Sequence, residues 1–296
     1  MTATSRGADT LPRWRNGLFV APFLAVYIGL LVYPLFWGLW ISLQEYDMFD
    51  KSATFAGFNN FLNLAGDPIF RRVVRNTFVF VGMTVPAFVA IGLMLALALN
   101  RQTRSAAILR AIFFGASVLS VTIVTIIWKM MYLPGRGLIS LVVGLFGIPS
   151  IPFITSSQLA LPAIAATTVW WIIGLPMMLF LAALQQIPAE LYEAAALDNA
   201  SRWRTFWSIT LPSIMRTFVV VVIYEIVAQF QLFGQALLLT QGGPNNSSRP
   251  LVLFIYETGF RDWNLGVAAA ASEVLFFLMA LAAMAQYVAS RRGETA

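Results

Sequence analysis

The chain contains no cysteine and no histidine, and charge is scarce: Asp, Glu, Lys and Arg make up 11% of its 296 residues. Without cysteine, disulfides and thiolate chemistry are excluded. Without histidine, the commonest general base and metal ligand is missing. No basic run interleaved with aromatics sits in a polar stretch, so the net charge of +6 does not point to nucleic acid. A soluble domain carries about 25% charged residues. What fills the chain instead is apolar: 59% hydrophobic residues and a mean hydropathy of +0.78. These values describe an integral membrane protein.

Six stretches are long enough to cross a hydrocarbon core of ~30 Å, which takes ~20 apolar helical residues. They run over 17–43, 74–99, 111–132, 159–184, 213–239 and 264–289. Barrel strands would alternate in polarity, whereas these runs are continuous, so the expected class is all-α. The first stretch is too long for a signal-peptide core and has no clear small-x-small cleavage site, so it is expected to be a retained span. Residues 1–16 and 291–296 form polar tails, and 17–71 hold the first span with its outer loop. Residues 72–290 form the core. Leu138 to Phe146 suits a short apolar helix in the outer interface, too short for a seventh span.

Basic residues in short loops set orientation. With the N-terminus inside, the inner segments hold 11 arginines against 8 basic residues outside. The stretch from Asn100 to Arg110 has three arginines and no acid. Both termini and the segment 186–212 are therefore expected on the inner, cytoplasmic side.

That segment is the most informative in the chain. Glu193 to Pro212 reads E-A-A-A-L-D-N-A-S-R-W-R-T-F-W-S-I-T-L-P. Pro188 suits the first turn of a helix. Glu190 and Glu193 favour its positive end, and Ala194, Ala195 and Ala196 are strong helix formers with little bulk. Asp198-Asn199 breaks the helix, asparagine being the best residue after glycine for a left-handed turn. Ser201 caps a second helix over Arg202 to Thr210, and Pro212 opens the fifth span. A small-sided helix can enter a groove on another protein closely.

The segment resembles the "EAA" coupling loop of ABC-importer transmembrane subunits with the MetI-like fold. Glu193, Ala194, Ala195, Asp198, Ala200, Phe206, Ile209, Leu211 and Pro212 fit its pattern, and Asn199 replaces the usual glycine. The resemblance covers nearly the whole chain. Tyr33-Pro34, Ser42-Leu43, Gly57 to Phe61, Asn76-Thr77, Leu239 to Pro244, Tyr256, Phe260, Gly266 and Ala269-Ala270 are similar to sugar-importer permeases of the maltose and glycerol-phosphate type. Gly115 and Ser140 depart from that pattern where proline and asparagine are common. The resemblance implies a partnership with a second related permease subunit, two cytosolic ATPase subunits and a periplasmic or lipid-anchored solute-binding protein. ATP and Mg2+ would sit on the ATPases; no cofactor or metal is expected on this chain. It further implies residence in the bacterial inner membrane, surrounded by lipid.

Intramembrane acids are expensive and usually face a bundle interior or cavity. Two occur, Glu225 in the fifth span and Glu273 in the sixth. Tyr224, Ala228, Gln231 and Gln235 follow helical spacing, with Glu225 and Gln229 on the adjacent stripe. Trp170 and Trp171 lie mid-way along the fourth span. Carboxylates and amides suit sugar hydroxyls, and aromatic faces suit the C–H side of a sugar ring. Packing and helix–helix hydrogen bonding are the competing use of the same residues. Arg249 and Arg261 outside could favour an anionic solute, or equally pair with acids on the binding protein or the lipid surface. A solitary secondary transporter is opposed by the lack of a visible inverted repeat. An intramembrane enzyme using Glu225 and Glu273 as an acid/base pair is poorly served by a chain without histidine or cysteine.

Overall fold

The computed structural model describes residues 13–47 and 52–294. The first twelve and last two residues of the expected tails, together with Lys51 and Asp50, lie outside the described residues. The N-terminal helix is continuous through α1 (Arg13–Tyr27), a π-helical stretch (Ile28–Val32) and α2 (Tyr33–Ser42). A hairpin follows, β1 (Gln44–Asp47) against β2 (Ser52–Phe55), with Gln44 opposite Phe55. Then come α3 (Asn59–Gly66) and the long α4 (Pro68–Leu99). The hairpin and α3 were not expected, because hydropathy carries no signal for four-residue strands.

Among the described residues, three helices are long and apolar enough to cross a membrane alone: Val20–Ser42, Pro68–Leu99 and Leu265–Val288. The other expected spans are broken, so straight helices over 111–132, 159–184 and 213–239 do not form. In their place, α5 (Arg104–Ala116) and α6 (Val121–Met131) meet at 97°, and α8 (Ala160–Ile172) and α9 (Gly174–Leu184) at 47°. The segment Arg202–Ser213 meets α13 (Met215–Phe230) at 70°. Counting each bent pair as one span gives up to six.

Two of the three breaks show a local signal held in place by a tertiary contact. Ser120 starts α6 by accepting the Ile123 amide at 3.4 Å. The Leu119 carbonyl freed at that corner accepts Trp171 Nε1 at 3.2 Å, and Ser117 Oγ donates to the Trp171 carbonyl at 3.2 Å. Such help from a neighbouring helix is what lets irregular backbone survive inside a membrane. In the fourth span Pro176 has no N–H to offer the Ile172 carbonyl, which bends the chain. Gly174 sits where a Cβ would run into the Phe113 carbonyl oxygen, so α9 and α5 approach backbone to backbone. A Cβ on Gly92 of α4 would lie 3.1 Å from the Pro176 Cβ.

α13 ends at Phe230, and α14 (Gly234–Leu239) starts after a three-residue break, with Gly234 against Val121 of α6. The expected continuous stripe through Gln231 and Gln235 is therefore interrupted: Gln231 terminates α13 and Gln235 belongs to α14. The short helix expected over Leu138 to Phe146 forms as α7 (Leu138–Gly144), two residues shorter. An unexpected helix, α15 (Leu251–Phe260), precedes α16 (Leu265–Glu294), which runs into the expected C-terminal tail.

Packing is divided among three clusters rather than one core. One joins α4, α9 and α13 through Leu93, Met177, Phe180 and Val221. A second joins α3, α4, α15 and α16 through Leu64, Phe70, Phe254 and Ala271. A third joins α4, α8 and α14 through Phe80, Ile164 and Ala236. The first span stays outside them; none of its apolar window is buried, and it touches the body mainly through α2 on α16.

Candidate coupling loop and intramembrane polar sites

The segment between α9 and α13 forms two helices with a turn, as its sequence predicts. α10 (Ala189–Leu197) begins after Pro188 and ends in a Schellman turn. The Ala200 amide donates to the Ala195 carbonyl at 2.9 Å and the Asn199 amide to the Ala196 carbonyl at 3.1 Å. Asn199 supplies the required left-handed residue, with φ 51°. Ser201 accepts the Arg204 amide at 3.3 Å and so caps the second helix.

That second helix is α11 (Arg202–Thr205), a π-helical stretch (Phe206–Thr210) and α12 (Leu211–Ser213). It extends past Thr210, so Pro212 lies inside it; the fifth span starts only after the turn at Ile214. The π stretch has a physical cause that recurs in the first span. Leu211 donates to Phe206, and Tyr33 to Ile28, each across five residues and each immediately before a proline. An α-helical proline ring would clash with the carbonyl four residues back, and one wider turn moves that carbonyl aside.

Glu193, Ala194, Asp198 and Asn199 are exposed, whereas Ala195 is buried and Ala200, Phe206, Ile209 and Leu211 are partly so. The loop thus separates into an outward face bearing the carboxylates and an inward face on the α4–α9–α13 cluster. Tyr192, not singled out in the sequence, bonds Thr210 at 3.2 Å and ties the two helices together. Its signal was only a tyrosine one position before Glu193.

The intramembrane candidates separate into groups. Glu225 and Gln229 are buried, and Gln229 Nε2 donates to Glu225 Oε2 at 2.9 Å, one helical turn away. Glu273 is also buried but faces the first span: its Oε1 lies 3.6 Å from where a Gly38 Cβ would stand. Glu225 is thus engaged by Gln229, and no hydrogen bond joins it to Glu273 among the described residues. Tyr224 and Gln231 are exposed, and Ala228 and Gln235 are half-buried. Trp171 is the clamp on the α5–α6 corner. Trp170 is half-exposed and packs edge-on against Trp128 at 5.4 Å. Trp128, which no sequence motif marks, also lies tilted against Tyr132 with ring centroids 5.2 Å apart, and its buried Nε1 has no hydrogen-bond partner among the described residues.

At the end of the bundle that holds α15 and the start of α16, Arg249 and Arg261 share one acid. Arg249 pairs with Glu257 Oε2 at 2.5 Å and Arg261 with Oε1 at 3.1 Å. Both arginines are thus engaged within the chain through Glu257, a partner that neither expectation named. Two polar junctions fix the same end of the bundle. Asn76 donates to the Asn246 and Arg249 carbonyls at 2.8 and 3.0 Å, while Thr77 Oγ1 accepts the Leu251 amide at 2.9 Å. Asn60 donates to the Ser42 and Gln44 carbonyls, both at 2.9 Å, beside Gly266.

Residues 64–294 match the family described as binding-protein-dependent transport system inner membrane component, and the chain belongs to that family. It is 30% identical over 286 residues to the multiple sugar-binding transport system permease protein MsmF of Streptococcus mutans, covering 95% of this chain and 96% of that one. It is 31% identical over 276 residues to the sn-glycerol-3-phosphate transport system permease protein UgpA of Salmonella typhimurium, covering 93% of each. The fold matches a chain of a bacterial alginate ABC transporter, solved in complex with an alginate pentasaccharide-bound periplasmic protein. That match has a TM-score of 0.83 and 22% identity and covers 94% of each chain.

Proposed function

We propose that this chain is one transmembrane subunit of a binding-protein-dependent ABC importer for a sugar or sugar-derived solute. It pairs with a second, related permease subunit and with two ATPase subunits that bind ATP and Mg2+. A binding protein delivers solute to its outer face, in the inner membrane of a bacterium. The observation that carries the reading is the Glu193–Pro212 segment: a helix of small residues, closed by a left-handed Asn199, that presents Glu193, Ala194 and Asp198 outward. An ordinary connector between spans needs only a few polar residues; this one is a folded, capped unit. Cytoplasmic placement of the loop and both termini is supported by the arginine-rich, acid-free stretch from Asn100 to Arg110.

In this reading nucleotide-driven motion of the ATPases moves α10, and the bonded second helix passes the motion to α13. The population of inward- and outward-open states shifts by the difference in ATPase contact energy between them. Glu225, Gln229, Tyr224, Trp170 and Glu273 are the candidates for contact with the solute path or with the second permease.

The test is mild-detergent purification of the tagged chain from its host, with mass spectrometry of what accompanies it. An ATPase and a second permease are expected. A chain that emerges alone, under conditions that keep known importers intact, would remove the heteromeric reading. Glu193→Lys is expected to lose the ATPase and abolish uptake while staying in the membrane at normal level; undiminished uptake by that variant would remove the docking role.

A further inference from the structure

The second helix of the inner loop has a face that ATPase docking by α10 leaves unused. Trp203 is 71% exposed and Trp207 51% exposed, with their rings edge-on at 5.6 Å. Arg202 and Arg204 are exposed beside them. From Asn199 through Tyr224 the sequence has no Asp or Glu, so the charge there is of one sign. The opposite side of the helix is already occupied, with Phe206 on the α4–α9–α13 cluster and Thr210 on Tyr192.

Direction supplies a second, independent observation. Arg202–Ser213 meets α13 at 70°. α13 is the crossing part of the fifth span, so a helix bent that far from it runs close to the plane of the membrane. A helix in that plane with tryptophan and arginine on its outer face has the make-up of an interfacial element. Tryptophan places an apolar ring in the headgroup region and keeps its N–H hydrated. Arginine binds phosphate through two parallel N–H bonds.

We propose that Arg202–Ser213 is an interfacial anchor, with Arg202 and Arg204 taking the phosphate groups of anionic phospholipids and Trp203 and Trp207 set at the boundary between headgroups and acyl chains. The proposal rests on the cytoplasmic placement of the loop, the side where anionic lipid attracts basic segments. Anchoring would hold the second helix against the bilayer, so that displacement of α10 works against a fixed lever instead of a floating one.

The absence of cysteine makes a clean test possible. Ser208 is exposed, next to Trp207. Ser208→Cys carries one spin label in the full chain, assembled with its partner subunits in nanodiscs. Accessibility to oxygen and to a water-soluble nickel complex reports the label's depth. In discs containing phosphatidylglycerol the label is expected about 5–10 Å inside the headgroup boundary. It is expected to shift toward water in pure phosphatidylcholine, and also in phosphatidylglycerol when Arg202→Gln and Arg204→Gln are added. The lipid comparison needs no change to either arginine, so it stands even if that variant misfolds. A label in water in both lipids would overturn the proposal. So would an equal depth in both lipids, or shielding that appears only when the ATPase is added, which would give this face to the ATPase. Co-purification of the ATPase with the unlabelled chain, and its loss in Glu193→Lys, is measured separately; the docking reading therefore survives or falls on its own.

Discussion

The hydroxyl of Tyr192 lies 3.2 Å from the hydroxyl of Thr210, across the turn that separates the two helices of the Glu193–Pro212 loop. Thr210 is buried, and Tyr192 reaches it from the same helix that carries Glu193 outward. A force on the exposed face of α10 therefore has a direct polar route to the helix that precedes α13. Tyr192→Phe removes that bond at a cost of about 0.5–1.5 kcal/mol. Such a loss is too small to unfold the subunit. The expected result is ATP hydrolysis that continues with less solute moved per ATP, measured as the ratio of the two rates in proteoliposomes. An unchanged ratio would show that the bond carries no coupling.

Asn199 holds a left-handed conformation, with φ 51°, at the turn. Asn199→Gly is expected to keep full uptake, because glycine adopts this conformation without steric cost. Asn199→Val is expected to cost about 1–2 kcal/mol locally and to reduce the amount of ATPase recovered with the chain. Equal recovery from both variants would remove the turn from the docking geometry.

Glu225 and Gln229 form a buried pair within one helix at 2.9 Å. Glu225→Leu strands the Gln229 amide and is expected to lose about 1–3 kcal/mol, seen as a lower unfolding temperature in detergent. Glu225→Gln keeps a hydrogen-bonding partner and should hold that temperature near the native one. If Glu225 also touches solute, the same conservative variant raises the KM for uptake. An unchanged KM would leave the pair with a packing role alone.

Gly266 allows the start of α16 to press on the Gln44 carbonyl, with Asn60 Nδ2 only 3.0 Å from where a Cβ would stand. Gly266→Val is expected to push the first span and its hairpin off α16, at about 1–3 kcal/mol of overpacking. Gly82, which has nothing within 4 Å of its Cβ position, is the control. Thermal unfolding should separate Gly266→Val from Gly82→Val by several degrees, and protease cleavage near the hairpin should rise in the first alone.

The amino-acid sequence by itself determined the class, the approximate span positions and the inner loop. Hydropathy acts over ~20 consecutive residues, and helix caps act over four, so both are written locally. The Schellman turn at Asn199 and the cap at Ser201 follow from neighbours in the chain for that reason. Where the spans break was decided by tertiary structure. The corner between α5 and α6 persists because Trp171, fifty-two residues after Leu119, pairs with its carbonyl; the bend before α9 seats Gly174 on the backbone of α5. Glu225 and Glu273 were both legible as buried acids, but only packing turned one toward Gln229 and the other toward Gly38. The outer motifs show the same division. Asn76-Thr77 and the loop after Gly243 carried a resemblance as separate strings, and so did Asn60, Ser42 and Gly266. In the fold each set closes one junction, with Asn76 reaching Arg249 across 173 positions. Contacts at that separation leave no periodicity along the chain, so they emerge only when the helices pack.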